Sequence, residues 1–460
     1  MSGQDFYVEQ LRTPIAHEAD VVVCGGGTAG FVAALAAARE GARTTLLERH
    51  SFVGGTMING AGPLHSFFNL FKAFPGAKKQ QVVQGLPQAI IERLARDGAT
   101  HGHLEMDKGG NYDSVITIID WEGFKDTAFR MLEEAGVRLL LNTIVSGVMK
   151  DGDSVTGVII EGKSGRQAIK AKVVIDATGD GDAAALAGAG FVKKHGTTSV
   201  GYPFGMANVD MMRLARYLEE QGMVTQLVRG QKDGRDGDDV IRLGFDLKKD
   251  PRFSAFMDKS GMWGPLGFSF HSNHFTFINT ANKRNVDATN TEELTAALVE
   301  LRHQVMELSR MLVKYIPGFE EAYVSWTPQH LGVRYTRAID CEVDLSLEQI
   351  VSGARFKDEV FLYGFHDCAP RIMIRDAGWY GFPYRALLPK KVEGMLVAGR
   401  LLTSDWDAHM STRNTVSCMA QGEAAGTAAA LCALSGVAPR ALDTEALRAR
   451  LKENGVYLGD

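Results

Sequence analysis

The chain has 460 residues, 45% hydrophobic and 23% charged, which is the composition of a soluble globular protein with material for more than one core. A formal net charge of -5 carries no polyanion-binding signature, so nucleic acid is not an expected partner. Five cysteines (Cys24, Cys341, Cys368, Cys418, Cys432) lie far apart with no C-x-x-C, which fits a reduced, cytoplasmic setting rather than a disulfide frame, zinc cluster or redox-active pair.

In chain order, Met1 to Glu18 carries charges and lacks the apolar core of a signal peptide. Val21 to Cys24 reads as a buried parallel strand, Thr28 to Glu40 as a helix stopped at Gly41, and Arg43 to Leu47 as a strand ending on Glu48. Between the first strand and the helix stands Gly25-x-Gly27-x-x-Gly30. The run Val21 to Ala38 is apolar enough to raise a membrane reading, but its glycines and strand-turn-helix layout mark a Rossmann unit, and no membrane span is expected. From Val115 the pattern gives a strand, an amphipathic helix stopped at Gly136 and a further strand, then alternating strands at 155–161 and 166–178. Between Gly190 and Ala338 it becomes irregular, apart from a helix from Thr291 to Ile316 whose Leu294, Leu298, Leu301, Val305, Leu308 and Leu312 step by four and three. Asn290 and Glu293 have capping-box spacing, and Pro317-Gly318 ends the helix. The charged run at 229–239 lacks EF-hand spacing and reads as a solvated loop. A strand at 393–400 and a small-residue helix from about Asn414 to Leu434 return to nucleotide-fold character.

The glycine loop alone serves NAD, NADP or FAD. Its first glycine permits a tight turn, its second lets backbone approach a pyrophosphate, and its third allows helix and strand to pack closely, so that the helix start at Thr28 and Ala29 faces the phosphates. Glu48 suits ribose hydroxyls and repels a 2′-phosphate, which disfavours NADP. Further sites of close backbone approach follow at Gly54-Gly55-Thr56, at Ala177-Thr178-Gly179-Asp180, and at Gly399-Arg400, before the helix start bearing Ser411, Thr412 and Asn414. A ligand touched at such separated places fits FAD better than NAD.

With A-T-G-D-G-D at 177–182, G-V-R-Y-T-R at 332–337, F-P-Y-R-A-L-L-P at 382–389 and V-A-G-R…A-H-M-S-T-R…G-E-A-A-G-T-A-A-A at 397–430, nearly the whole chain resembles the FAD-dependent oxidoreductases of the glutathione-reductase-like superfamily. The resemblance implies an α/β fold: a split Rossmann-like FAD-binding domain (18–60, 115–195 and 385–460) with an inserted α+β substrate or cap domain (61–114 and 196–384). It places Gly25, Gly27, Gly30, Glu48, Arg49, Gly54, Gly55, Thr56, Gly179, Asp180 and Arg400 along FAD. Relatives commonly carry Glu where Tyr335 stands, and superfamily members often carry an acid in place of Arg400, so both positions act differently here.

The resemblance aims the helix after D-W-D-A-H-M-S-T-R-N at the flavin, where helix N–H groups would stabilise negative charge. His409 is then a candidate base and Arg413 a candidate carboxylate clamp, with a capping histidine and a surface arginine as the plainer readings. His65 is an alternative base or flavin attachment point. Arg334 and Arg337 either form an anion pocket or pair with Asp340 and Glu342, and Tyr384 joins them on the substrate side. His101/His103 and His271/His274 lack a third ligand, and no metal is expected. The expected activity is an FAD dehydrogenase passing hydride from a small organic acid or hydroxylated substrate to flavin, with an unassigned electron acceptor and an open question of homo-oligomer formation. The alternatives are a flavin monooxygenase and a non-catalytic flavin- or nucleotide-binding protein.

Overall fold

Val21, Val22, Val23 and Cys24 are completely buried, which is why this strand is apolar at every residue: both of its faces are covered. The computed structural model describes residues 7–59, 64–65, 67, 80–105, 115–193, 199–230, 239–369 and 371–459. The charged loop at 231–238 and the glycines at 60 and 62 lie outside the described residues.

The strand belongs to a sheet built from β1 (Ile15–Cys24), β2 (Thr44–Leu47), β3 (Arg138–Leu140), β4 (Ile144–Asp151), β5 (Ser154–Gly162), β6 (Gly165–Asp176) and β7 (Met395–Val397). Its order is β3-β2-β1-β6-β5-β4, with β7 also on β6. The pairs β3/β2, β2/β1, β1/β6 and β6/β7 are parallel, whereas β4, β5 and β6 form an antiparallel meander. The long β6 serves both parts: its first half pairs with β5 and its last residues with β7. Register then aligns the strand ends, because Cys24 lies beside Leu47 and Asp176, and Val397 also lies beside Asp176. The segments that follow these ends therefore emerge at one edge of the sheet, where open α/β sheets bind ligands. This is the mixed α/β Rossmann-type architecture.

Three helices complete that edge: α1 (Thr28–Arg39), α2 (Trp406–Thr412) and α3 (Thr415–Ser435). Helix α3 meets α1 backbone to backbone. A Cβ at Gly422 would fall 2.2 Å from the Ala29 carbonyl oxygen, and one at Gly426 2.2 Å from that of Ala33. Glycines four apart share a helix face, so this stripe fixes how closely the two helices approach.

The irregular region forms a second sheet of six short antiparallel strands, in the order Val224–Gly230, Asp239–Phe245, Leu266–Phe268, His274–Asn279, Phe204–Ala207, Tyr323–Trp326. The helix Thr291–Tyr315 buries Leu301, Val305, Leu308 and Leu312 in a core shared with Phe204, Met206, Leu243 and Phe275. On the opposite face Ile241, Phe268 and Phe277 join the core of the first sheet. The expected capping box is half made: Asn290 accepts from the Glu292 and Glu293 N–H groups, but Glu293 accepts from Asp287 instead of Asn290. A smaller sheet, Asn282–Arg284, Ser199–Gly201 and Gly332–Val333, carries the chain to Arg334.

Gly422→Ala should lower stability by about 1–3 kcal/mol, because the added methyl must push α3 off α1. A urea midpoint no lower than that of the parent protein would contradict the packing described.

Candidate active site

At the carboxyl ends of β1, β2, β6 and β7 lies a cavity of about 470 Å³. The three loop glycines have different tasks there. Gly25 has φ +95°, and a Cβ on it would sit 2.6 Å from the Ala177 oxygen; a Cβ on Gly30 would sit 1.8 Å from the Gly25 oxygen. Both hold the protein's own backbone together. Gly27 lines the cavity with an ordinary φ of -67°, and a Cβ there would meet nothing within 4 Å. Only at Gly27 does the missing side chain leave room for something else.

Charged groups complete this wall. Glu48, at the end of β2, accepts from the Gly26 and His50 N–H groups, both at 2.8 Å, and burial raises its pKa despite them. Asp180 accepts from Arg400 at 2.7 Å and from the Thr336 hydroxyl at 2.8 Å. Burial alone would raise the Asp180 carboxyl, yet these partners hold it below the usual carboxylate value. Gly55 packs on Gly27, and the Thr28 hydroxyl donates to the Gly54 oxygen. Gly54 itself faces Phe124 inside the fold. His50 and His330, which sequence reasoning missed, stack with centroids 4.9 Å apart in the cavity wall; burial brings each to a pKa of about 4.

Two helix N-termini open on the same cavity. Helix α1 starts after Gly27, and α3 after Asn414, whose amide is turned away to donate to the Met410 and Ser411 oxygens. Neither has a side-chain cap, whereas Asp405 caps α2 and Asn290 caps Thr291–Tyr315. Uncapped helix starts leave N–H groups and the positive dipole end for a ligand. The cavity thus fits an elongated group with an anion at one end and developing negative charge at the other.

The wall brings together most of the sequence-derived cofactor residues: Gly25, Gly27, Thr28, Ala29, Glu48, Arg49, Gly55, Thr56, Ala177, Thr178, Gly179, Asp180, Gly399, Arg400 and Asn414. Gly30 and Gly54 support the loop from behind. Ser411 and Thr412 are buried, their hydroxyls bonded to the Phe365 oxygen and to Thr403.

Of the expected reactive residues, Arg334 and Arg413 line the cavity, and Arg413 pairs with Asp367, another residue that sequence reasoning missed. His409 does not line it. It is fully buried, each ring nitrogen 2.9 Å from a main-chain oxygen, of Leu402 and of Arg334. A neutral imidazole donates to one of the two. Burial, with Arg413 and Arg400 adding to it, lowers the His409 pKa to about 3, so the ring is no accessible base. Arg337 donates to Asp182 and the Asp180 oxygen, which corrects both its anion-pocket reading and the expected pairing with Asp340 and Glu342. Tyr384 is buried with its hydroxyl donating to Pro439, so it lies behind the wall. His65 sits in the short strand Leu64–His65, and its side chain is outside the described residues.

An α/β sheet with a glycine cradle and two helix starts without side-chain caps at its carboxyl edge defines a dinucleotide-binding fold. The chain belongs to the FAD dependent oxidoreductase family, whose model matches residues 20–451. FAD is the cofactor of this chain. It is 28% identical over 178 residues to a thiamine thiazole synthase of Methanococcus maripaludis, spanning 37% of this chain and 59% of that protein. It is 30% identical over 164 residues to protein FixC of Salmonella typhi, spanning 35% and 36%. The matched part is therefore about three fifths of the first relative and about a third of the second. A geranylgeranyl bacteriochlorophyll reductase-like protein from Thermoplasma acidophilum is similar over 95% of this chain and 83% of its own, with 14% identity and a TM-score of 0.46.

The glycine roles separate by substitution. Gly27→Ala should lower the unfolding free energy of the flavin-free protein by no more than about 1 kcal/mol, the cost of alanine at a helix N-cap, while weakening FAD binding at least about 100-fold, since its methyl points into the ligand space. Gly25→Ala should instead destabilise the flavin-free protein. Titration of released flavin and chemical unfolding of both variants check this.

Proposed function

We propose that this protein is an FAD-dependent dehydrogenase that oxidises a small polar substrate, an organic acid or a hydroxylated compound. The observation that carries the reading is the single cavity joining the Gly27 cradle to the uncapped start of α3, with Arg334 and Arg413 in its wall. The bound FAD supplies a two-electron acceptor, the chemistry that no protein side chain provides. Gly27, Thr28 and Ala29 would hold its phosphates, Glu48 and Arg49 its ribose, and Gly55, Thr56, Gly179, Asp180, Gly399 and Arg400 the length between. The first turn of α3, from Thr415, presents its N–H groups where negative charge develops. His409 acts through position: its buried ring is packed between the main-chain oxygens of Leu402 and Arg334 and donates to one of them, setting the spacing of the loop before α2 from Arg334. The unit built around the six-stranded antiparallel sheet, within 196–384, serves as the substrate domain, because it delivers Gly332, Val333 and Arg334 to the cavity. Among the described residues no helix is long and apolar enough to cross a membrane. The five unpaired cysteines support a cytoplasmic setting.

Anaerobic mixing with a panel of acids, polyols and amines should bleach the visible flavin band without added nicotinamide. Reduction only by nicotinamide, followed by oxygen-dependent hydroxylation of a bound compound, would replace the dehydrogenase with a monooxygenase.

A further inference from the structure

Among the arginines of the cavity wall, Arg400 meets Asp180 and Arg413 meets Asp367, while Arg49 is exposed to solvent. Arg334 differs from all of them. Its chain is fixed by the small sheet through its own N–H, 3.3 Å from the Ser199 oxygen, and its guanidinium lies over the Trp263 ring, 5.4 Å from the centroid. Its one polar side-chain contact among the described residues is to the Ser199 hydroxyl at 3.3 Å. No carboxylate of the described residues lies within ion-pair distance of it; Asp367 is near enough to be felt but is held by Arg413. Gly201 keeps the space beside it open, since a Cβ there would stand 3.8 Å from Arg334 Nη1.

A guanidinium drawn out of bulk water costs free energy unless an anion meets it. Burial, with Arg413 adding to it, brings the Arg334 pKa down to about 10, so it is still a cation at neutral pH. Arg334 sits beside the end of α2 rather than at the Gly27 cradle: its main-chain oxygen meets His409, and the charged groups near it are Arg413 and Asp367. We propose that Arg334 is the anchor for a carboxylate group of the substrate, which it grips with the two-pronged face left free by Trp263 and Ser199. The substrate class is then a small organic carboxylate. This deepens the dehydrogenase reading and rests on the same cavity. It also moves the carboxylate from Arg413, whose charge Asp367 already neutralises, to Arg334. The Trp263 ring under the guanidinium and the Ser199 hydroxyl at its edge hold the fork in place before a ligand arrives, which suits a bidentate contact.

The test titrates the oxidised FAD-loaded protein with acetate, malonate and oxalate, which have no alcohol and no adjacent C–H pair to dehydrogenate, and with their neutral amides. Binding is read as perturbation of the flavin visible band and by calorimetry, in the parent protein, Arg334→Lys and Arg334→Gln. At least one carboxylate should bind the parent more tightly than its amide. Arg334→Gln should weaken that carboxylate roughly 30-fold or more, leave the amide unchanged and keep full flavin content, and Arg334→Lys should recover part of the loss. Equal binding of carboxylate and amide, no binding of any panel carboxylate, equal carboxylate binding by parent and Arg334→Gln, or loss of flavin from Arg334→Gln would each overturn the proposal. No turnover is involved, so failure of the dehydrogenase reading would not disturb this result. Bleaching by a substrate without a carboxylate would uphold that reading and overturn this one.

Discussion

The contact on which the site depends is the crossing of α1 and α3, where Gly422 and Gly426 bring the helix backbones together against Ala29 and Ala33. Side chains at those two positions would push α3 away from α1, and the starts of both helices would part. With glycine there, Thr28 and Thr415, more than 380 residues apart in sequence, open on one cavity. The chain leaves the first sheet after β6 and returns to it at β7, so the strands of the second sheet are threaded between two parts of the first. Packing of small residues thereby converts a discontinuous chain into a continuous binding surface.

Charge is placed along that surface with the same economy. Asp180, Thr336 and Arg400 tie the loop after β6 to the loop after β7 and to the segment beyond Arg334. This answers what Arg400 does where superfamily members often carry an acid: it neutralises Asp180 and braces the loop at Gly179. Asp367 similarly neutralises Arg413, and Asp182 neutralises Arg337. Arg334, just after the small three-stranded sheet, is a partly buried cation of this wall with no carboxylate partner among the described residues.

The glycine cradle and the sheet were legible because each depends on residues close together in sequence. Gly25 needs a positive φ, Gly30 has no room for a Cβ, Gly27 leaves open space and Glu48 ends the next strand, so the spacing itself marks the unit. The same holds for the apolar strand and the stepped leucines of the helix at 291–315. Side-chain direction at the helix end was not legible. His409 and Arg413 are four positions apart, yet one points into the interior and the other reaches the cavity. Local sequence gave no sign that Asp367, 46 positions before Arg413, would neutralise it, or that His50 would stack on His330. The second sheet was hidden because its strands are short and apolar residues serve both faces, as Phe275 and Phe277 show by joining different cores. Alternation of polar and apolar residues is then too weak to mark the strands.

The central claim is that two distant helix starts share one cofactor. Amide hydrogen exchange with and without FAD measures it directly. FAD should slow exchange both at residues 27–30 and at residues 415–418. Protection at 27–30 with exchange at 415–418 unchanged would contradict the account.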